Sequence, residues 1–231
     1  MPDRRGRGIA GLRVGDASAG VALTCRVSER RIRECHDRRS LAARRVRATV
    51  VSAEVVGRLA GLVALGLLTL LVLANGIAMP SGAILNFLHM IDLVFHEAGH
   101  VIFGAVGLGS QFIAVLGGSL NQVLVPAVCT AVFLRRKQYG SAAVTLFWVG
   151  QNLADVAVYV ADGRAMALPL LADGLIHDWN FILGRLGLLY RAEALGRLTF
   201  GLGALAMLAA LALLGWDAWT RVLSSEPRSS E

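Results

Sequence analysis

Apolar segments close to twenty residues long recur from Leu59 onward, and each is long enough to cross the roughly 30 Å hydrocarbon core of a bilayer as a helix. Of the 231 residues 55% are hydrophobic, and the mean hydropathy is +0.60, which is too apolar for an ordinary soluble domain of this size. The sequence therefore predicts an all-α, polytopic helical membrane protein with five to six transmembrane helices. The five clearest spans lie at 59–79, 84–107, 112–134, 142–161 and 196–216.

Positive charge is concentrated ahead of these spans, because 14 of the 22 arginines lie in residues 1–58. This basic stretch lacks interleaved aromatic residues and adjoins a span, so its expected partner is membrane lipid with anionic headgroups and not nucleic acid. The arginines favour a cytoplasmic N-terminus, and we expect an integral, multi-pass protein of a bacterial plasma membrane. Three parts are predicted: a basic, disordered N-terminal extension at 1–56, a membrane-embedded domain at 57–220 and a short polar tail at 221–231.

The second span contains the segment FHEAGHVIFG (95–104), in which two histidines and a glutamate interrupt an apolar run. His96 and His100 are four residues apart, so on a helix both imidazoles project from one face within reach of a single ion. Glu97 is offset from His96 by about a third of a turn, which suits a base that takes a proton from water better than a metal ligand. This H-E-x-x-H spacing predicts one zinc ion held by His96 and His100, with Glu97 as the catalytic residue.

A polar stripe extends from these histidines toward the start of the same span through Asp92, His89 and Asn86. Each ionisable group at mid-membrane costs about 2.5–3.5 kcal/mol on insertion scales, so the stripe must face protein or water. Two interpretations of His89 and Asp92 stay open. They form hydrogen bonds between helices, or they orient the metal ligands.

A hydrolytic zinc site needs three protein ligands and one open position, and the fourth span offers candidates for the third ligand. Asn152, Asp155, Tyr159 and Asp162 share one face of the helix predicted for FWVGQNLADVAVYVADGR (147–164). Asp155 and His100 each lie about seven residues from the end of their spans, so an alternating topology puts them at matched depth. Depth therefore favours Asp155, whereas Asp162 lies nearer the interface, where a solvated carboxylate is the plainer interpretation.

Three segments resemble, in order, the motifs of the site-2 protease family of intramembrane zinc metalloproteases. They are HEAGH (96–100), GGSLN (117–121) and NLADVAVYVADGR (152–164). GGSLN is similar to the family's G-P-x-x-N segment. The third segment is similar to its N-x-x-P…L-D-G stretch, except that Asp155 stands where the family has proline.

The resemblance implies Asp162 as the third zinc ligand and Asn152 as a polar helper. It also implies that Asn121 or Asn152 binds the developing oxyanion or the unwound substrate strand. Depth and motif thus point to different aspartates, and we expect only one of the two, Asp155 or Asp162, to bind the metal.

His177 and Asp178 form a further polar pair in the HDWN segment, within the longer stretch 162–195 that follows the fourth span. This stretch is expected to contain a short re-entrant or interfacial helix. The pair is predicted on the same side of the membrane as the site, where it would cap the site or supply another ligand. A solvated, interfacial pair is the alternative.

The leading hypothesis is an intramembrane zinc metalloprotease that hydrolyses peptide bonds of transmembrane or membrane-proximal substrates with a metal-activated water. The alternative is a non-catalytic multi-pass membrane protein that binds or transports a divalent metal, with His89, Asp92 and His96 as one of several weaker sites. A third interpretation is a structural scaffold whose polar stripe only joins helices, and it predicts no stoichiometric metal.

Overall fold

The computed structural model describes residues 53–107, 109–169 and 176–225, together with Arg31, Arg33, Glu34, His36 and Arg38. The chain divides into two units, residues 1–52 and 53–231. In the first unit the five described residues are helical and exposed. Residues 53–56, predicted as the end of the disordered extension, and residues 221–225, predicted as the start of the polar tail, are helical and belong to the first and last long helices. The rest of the predicted extension and tail lies outside the described residues.

The described part of the second unit consists of six α-helices and a short 3-10 turn, without a strand. The turn, Leu189–Arg191, leads directly into the last helix. The helices are α1 (Ala53–Asn75), α2 (Gly82–Val106), α3 (Gln111–Arg135), α4 (Tyr139–Asp162), α5 (Asp178–Arg185) and α6 (Ala192–Ser225). The predicted all-α fold is confirmed, and α5 is the short helix expected between the last two spans.

Four segments are long and apolar enough to cross a membrane: α1, α3, α4 and the stretch Leu189–Leu223, which contains all but the last two residues of α6. The helix α2 has the same length as α3, 25 residues, or about 37 Å at 1.5 Å per residue. Its hydropathy is lowered by the polar stripe, which occupies only one side. On the other side Phe87, Val94 and Val101 follow one another at intervals of seven and are each at least 65% exposed, as expected for side chains that face lipid.

The helices pack through small residues, which let their backbones approach closely. Such close packing holds helices together in lipid, where the hydrophobic effect does not drive their association. A Cβ atom on Gly150 of α4 would lie 2.6 Å from the carbonyl oxygen of Gly203 in α6, so these two helices touch backbone to backbone. Beside this contact the apolar core is formed by residues of α1, α2, α4 and α6. Its buried members include Leu65, Leu85, Phe147, Met207 and Leu214. As a result α4 lies inside the bundle and carries its polar residues in buried positions.

Candidate metal centre

The two histidines of the H-E-x-x-H segment meet one carboxylate. His96 and His100 lie one turn apart on α2, with ring centroids 4.7 Å from each other. Their Nε2 atoms lie 2.9 Å and 3.1 Å from Oδ2 of Asp178, the first residue of α5. All three potential ligand atoms fall within 4.8 Å of one another. Two imidazoles and a carboxylate are the donor set of a catalytic zinc site, with the fourth position left to water or substrate.

Each of the two imidazoles has an oxygen acceptor at Nδ1, the nitrogen that does not face Asp178. Nδ1 of His96 lies 2.8 Å from Oε1 of Gln122, and Nδ1 of His100 lies 2.9 Å from the carbonyl oxygen of Ala114. An oxygen of this kind only accepts, so each Nδ1 carries a proton, and Nε2 is the ring nitrogen that faces Asp178 and that a metal would bind. Metal-binding histidines are oriented in this way by their other ring nitrogen.

Glycines of α3 make room for these rings. A Cβ atom on Gly118 would lie 2.6 Å from Nε2 of both His96 and His100. At the neighbouring positions, a Cβ on Gly99 of α2 would overlap the carbonyl oxygen of Gly117 of α3. The GGSLN segment therefore acts through its small residues, which bring α2 and α3 together at the level of the histidines.

Asp178 is brought to the centre by the fixed start of α5. Nδ1 of His177 accepts a hydrogen bond from the backbone N–H of Asn180 at 3.3 Å and caps the helix, while its Nε2 donates to Oδ2 of Asp162 at 3.0 Å. The indole N–H of Trp179 donates to the hydroxyl of Ser119 on α3, and the side-chain amide of Asn180 donates to the carbonyl of Gly163. Asp178 is thus tied to α3 and to the end of α4.

The carboxylate of Asp178 stays ionised at neutral pH. Its burial raises its pKa, but the hydrogen bonds from His100 and His96 and the charges of these imidazoles outweigh that effect, so the pKa lies below its usual value. An ionised carboxylate is the form that binds a metal.

The aspartates expected as third ligand occupy other positions, and the carboxylate that meets the two histidines is that of Asp178. Oδ1 of Asp155 lies 2.8 Å from Nδ1 of His89, and Oδ2 accepts a hydrogen bond of 3.4 Å from Gln122. The carboxylate of Asp162 accepts from the backbone N–H groups of Ala167 and Leu168 as well as from His177. Asp162 therefore fastens the turn after α4, and Asp155 joins α4 to α2 and α3.

The other residues of the polar stripe mostly join helices. Asp92 is 1% exposed, and its two oxygens accept hydrogen bonds from the indole of Trp148 at 2.9 Å and from Gln151 at 2.7 Å, both on α4. Of the two interpretations of Asp92 that the sequence left open, these contacts support the hydrogen bond between helices. His89 bonds to Asp155, and Tyr159 OH lies 3.5 Å from its Nε2.

Neither asparagine expected at the oxyanion or the substrate lines the cavity beside the histidines. The side-chain amide of Asn121 donates at 2.7 Å to the carbonyl of Phe95, the residue before His96, and so supports the backbone of α2. Asn152 is fully buried and donates to the carbonyl of Trp148, while its Oδ1 has no hydrogen-bond partner in the described part of the chain. Both residues therefore act within the bundle.

A cavity of about 660 Å³ extends from the three candidate ligands to His89 and Tyr159. Met79, Met90, Leu93 and Ile176 give it apolar walls. The exposed side chain of Glu97 also lines it and forms no hydrogen bond or ion pair with any described residue. A carboxylate that lines the same cavity as the candidate ligands and has no hydrogen bond to a described residue is available to exchange protons with a water or a substrate.

Sequence reasoning had placed His177 and Asp178 near the site but had not put Asp178 among the favoured ligands. It missed Gln122, the carbonyl of Ala114 and the steric role of Gly118. Residue spacing relates side chains of one helix, so it cannot indicate which group of another helix accepts a hydrogen bond from Nδ1 of a histidine. The HDWN segment was the one available signal, since a polar pair in an otherwise apolar stretch needs partners.

Comparisons with protein-family models, with curated proteins and with solved structures return no match. The functional interpretation accordingly rests on the residues and distances given above.

Proposed function

We propose that this chain is a multi-pass, intramembrane zinc metalloprotease that hydrolyses peptide bonds of transmembrane or membrane-proximal substrates. The observation that carries the proposal is the convergence of His96, His100 and Asp178, with Glu97 free beside them in the same cavity. The two histidines come from one helix, and the carboxylate comes from a separate segment 78 residues further along the chain. Such convergence of distant residues favours a metal site over a simple contact between helices.

The donor set fits zinc, with His96, His100 and Asp178 as its holders. When bound, zinc supplies Lewis-acid catalysis, which lowers the pKa of a water and polarises a carbonyl. Glu97 accepts a proton from the attacking water as the new C–O bond forms at the peptide carbonyl carbon. It then returns this proton to the leaving nitrogen as the C–N bond breaks, which gives an amine and a carboxylic acid; the acid passes its proton, the second one of the water, to the amine, so that a carboxylate and an ammonium group are released.

The shape and lining of the cavity support a peptide as substrate. A transmembrane helix keeps its backbone groups bonded to one another, so a protease must bind a short unwound stretch and offer those groups new partners. The cavity combines polar lining groups with apolar walls, which suits a polar backbone with apolar side chains. The exposed apolar side of α2 is proposed to contact lipid, in a bacterial plasma membrane.

Metal transport is less well supported. A transport path needs several weak sites in series, and the described residues contain one cluster with three possible ligands. His89 and Asp92, which would have formed a second site, are bonded to Asp155 and to Trp148 and Gln151. Hydrolysis requires only one metal centre, the one proposed at His96, His100 and Asp178.

The test combines zinc content with cleavage of a quenched fluorescent model transmembrane peptide in proteoliposomes. Glu97→Gln should retain zinc and lose cleavage, since the amide keeps the shape of the side chain but cannot accept the proton. Glu193→Gln is the matched control, because Glu193 pairs on the surface with Arg197 and should leave both readouts unchanged. Undiminished cleavage by Glu97→Gln, or a wild type that binds zinc and cleaves no member of a peptide panel, would count against the proposal.

A further inference from the structure

We propose that Asp155 is a positioning residue that fixes the side-chain amide of Gln122, and through it the tautomer and orientation of His96. The inference rests on the proposed metal centre. It links three helices through a chain of hydrogen bonds that ends at the candidate ligand His96. Asp155 bonds to Gln122 of α3, and Gln122 bonds to His96 of α2. The third helix is α4, which carries Asp155 itself.

Gln122 alone does not determine which nitrogen of His96 carries the proton. Its amide can present the oxygen to an N–H of the ring, or after a half-turn present its NH₂ group to a ring lone pair. In the first case Nδ1 donates its proton to Gln122, and Nε2, which faces Asp178 at 2.9 Å, is the nitrogen that a metal would bind. In the second case Nδ1 accepts, so the ring proton that remains is on Nε2, and His96 has no lone pair there for zinc.

Asp155 makes the two orientations unequal. Its carboxylate accepts and does not donate, and Oδ2 faces Nε2 of Gln122 at 3.4 Å. The rotated amide would bring two oxygen acceptors face to face and would lose the bond between Gln122 and Asp155, which are only 3% and 8% exposed. The orientation that leaves Nε2 of His96 available is therefore selected.

Asp155 is in turn held in place by the same helix that carries the metal ligands. Oδ1 accepts from Nδ1 of His89 at 2.8 Å, and the His89 ring stacks on Tyr159 with centroids 6.1 Å apart. His89 lies seven residues, or two turns, before His96. The hydrogen bonds thus run from His89 through Asp155 and Gln122 to His96, and both ends of this chain lie on α2. This arrangement gives the buried His89, which is not among the candidate ligands, a role in positioning Asp155.

The inference predicts the result of exchanging donor and acceptor groups. In Asp155→Asn, the asparagine oxygen must still accept from His89, so its NH₂ group faces Gln122 and rotates that amide. Nδ1 of His96 then receives a hydrogen bond, and the proton resides on Nε2. We expect zinc affinity to fall about 10- to 100-fold, the range for groups that orient a metal-binding histidine.

A second substitution should reverse this loss. In Asp155→Asn combined with Gln122→Glu, one oxygen of the new glutamate accepts from the asparagine and the other accepts from Nδ1 of His96. The sequence of donors and acceptors is restored with the same total charge, and zinc affinity should return close to that of wild type. A role limited to helix packing predicts no recovery, because the double variant changes more native contacts than the single one.

The experiment measures the dissociation constant of zinc by chelator competition in detergent-purified protein, and the tautomer of His96 by ¹⁵N NMR of the metal-free protein. Asp92→Asn is the matched control, since Asp92 is also a buried aspartate, on α2, but accepts hydrogen bonds from Trp148 and Gln151 of α4 instead of Gln122. Its zinc affinity should equal that of wild type.

Two results would overturn the inference: wild-type zinc affinity and an unchanged tautomer in Asp155→Asn, or a double variant that binds zinc no better than the single one. A wild type that binds no zinc would instead remove the proposed metal centre. The tautomer comparison in metal-free protein would still decide the role of Asp155 in that case.

Discussion

Gly118 is the position where a single methyl group tests the geometry of the candidate centre most sharply. In Gly118→Ala the new Cβ would lie 2.6 Å from Nε2 of His96 and of His100. Ordinary contacts of a Cβ atom begin at 3.4 Å, so both nitrogens have to move by about 0.8 Å relative to α3. A zinc site tolerates displacements of about 0.2 Å in its ligand distances.

The required movement also disturbs the bonds that orient the rings. Gln122 lies on α3 like Gly118, so moving His96 relative to α3 displaces its Nδ1 by up to about 0.8 Å from the position of its 2.8 Å bond to Gln122. Since two ligands are displaced at once, we expect zinc affinity to fall by about 100-fold or more, at the upper end of what loss of ligand orientation costs. The corresponding loss of binding free energy is about 2.7 kcal/mol.

The assay is zinc competition against a chelator, together with thermal unfolding of the metal-free protein. Alanine favours a helix over glycine by roughly 1 kcal/mol, so α3 itself is not weakened by the substitution. Gly104→Ala is the control at the same interface, since its Cβ would meet Ala114 at an ordinary 3.7 Å. Wild-type zinc affinity in Gly118→Ala would refute the placement of the two imidazoles against α3.

Two predictions concern the supports of the bundle. His177→Ala removes the cap of α5 and the bond to Asp162, and it should lower the free energy of unfolding by about 1–2 kcal/mol in denaturant titration; His177→Asn, which retains a capping side chain, should lose less. Asp217→Asn leaves the guanidinium of Arg58 without its buried partner and should cost about 3 kcal/mol by the same measurement. A loss in Asp217→Asn no greater than that in Glu193→Gln, at an exposed pair, would contradict this value.

Most helix boundaries followed from hydropathy alone. The spans expected at 112–134 and 142–161 correspond to Gln111–Arg135 and Tyr139–Asp162. The last helix extends to Ser225, well beyond the expected end at 216. Hydropathy could not foresee this extension, because Asp217 is buried by its bonds to Arg58 and Arg221 and the helix continues through a charged residue.

The third ligand was harder to predict because it depends on the path of the chain between helices. Helical periodicity relates residues of one helix, so it found His96, Glu97 and His100. Matched depth then selected Asp155, which does lie beside the site but bonds to His89 and Gln122. Asp178 reaches the histidines only because His177, Trp179 and Asn180 are each fastened to another segment, and these contacts have no signature in residue spacing.

The zinc content of detergent-purified protein, measured for wild type and Asp178→Ala side by side, tests the central claim most directly. The account predicts one zinc per chain in wild type and its loss in Asp178→Ala, with zinc retained in Asp92→Asn as the control for a buried aspartate on another helix. A metal-free wild type, or an Asp178→Ala protein that still holds one zinc per chain at wild-type affinity, would contradict it.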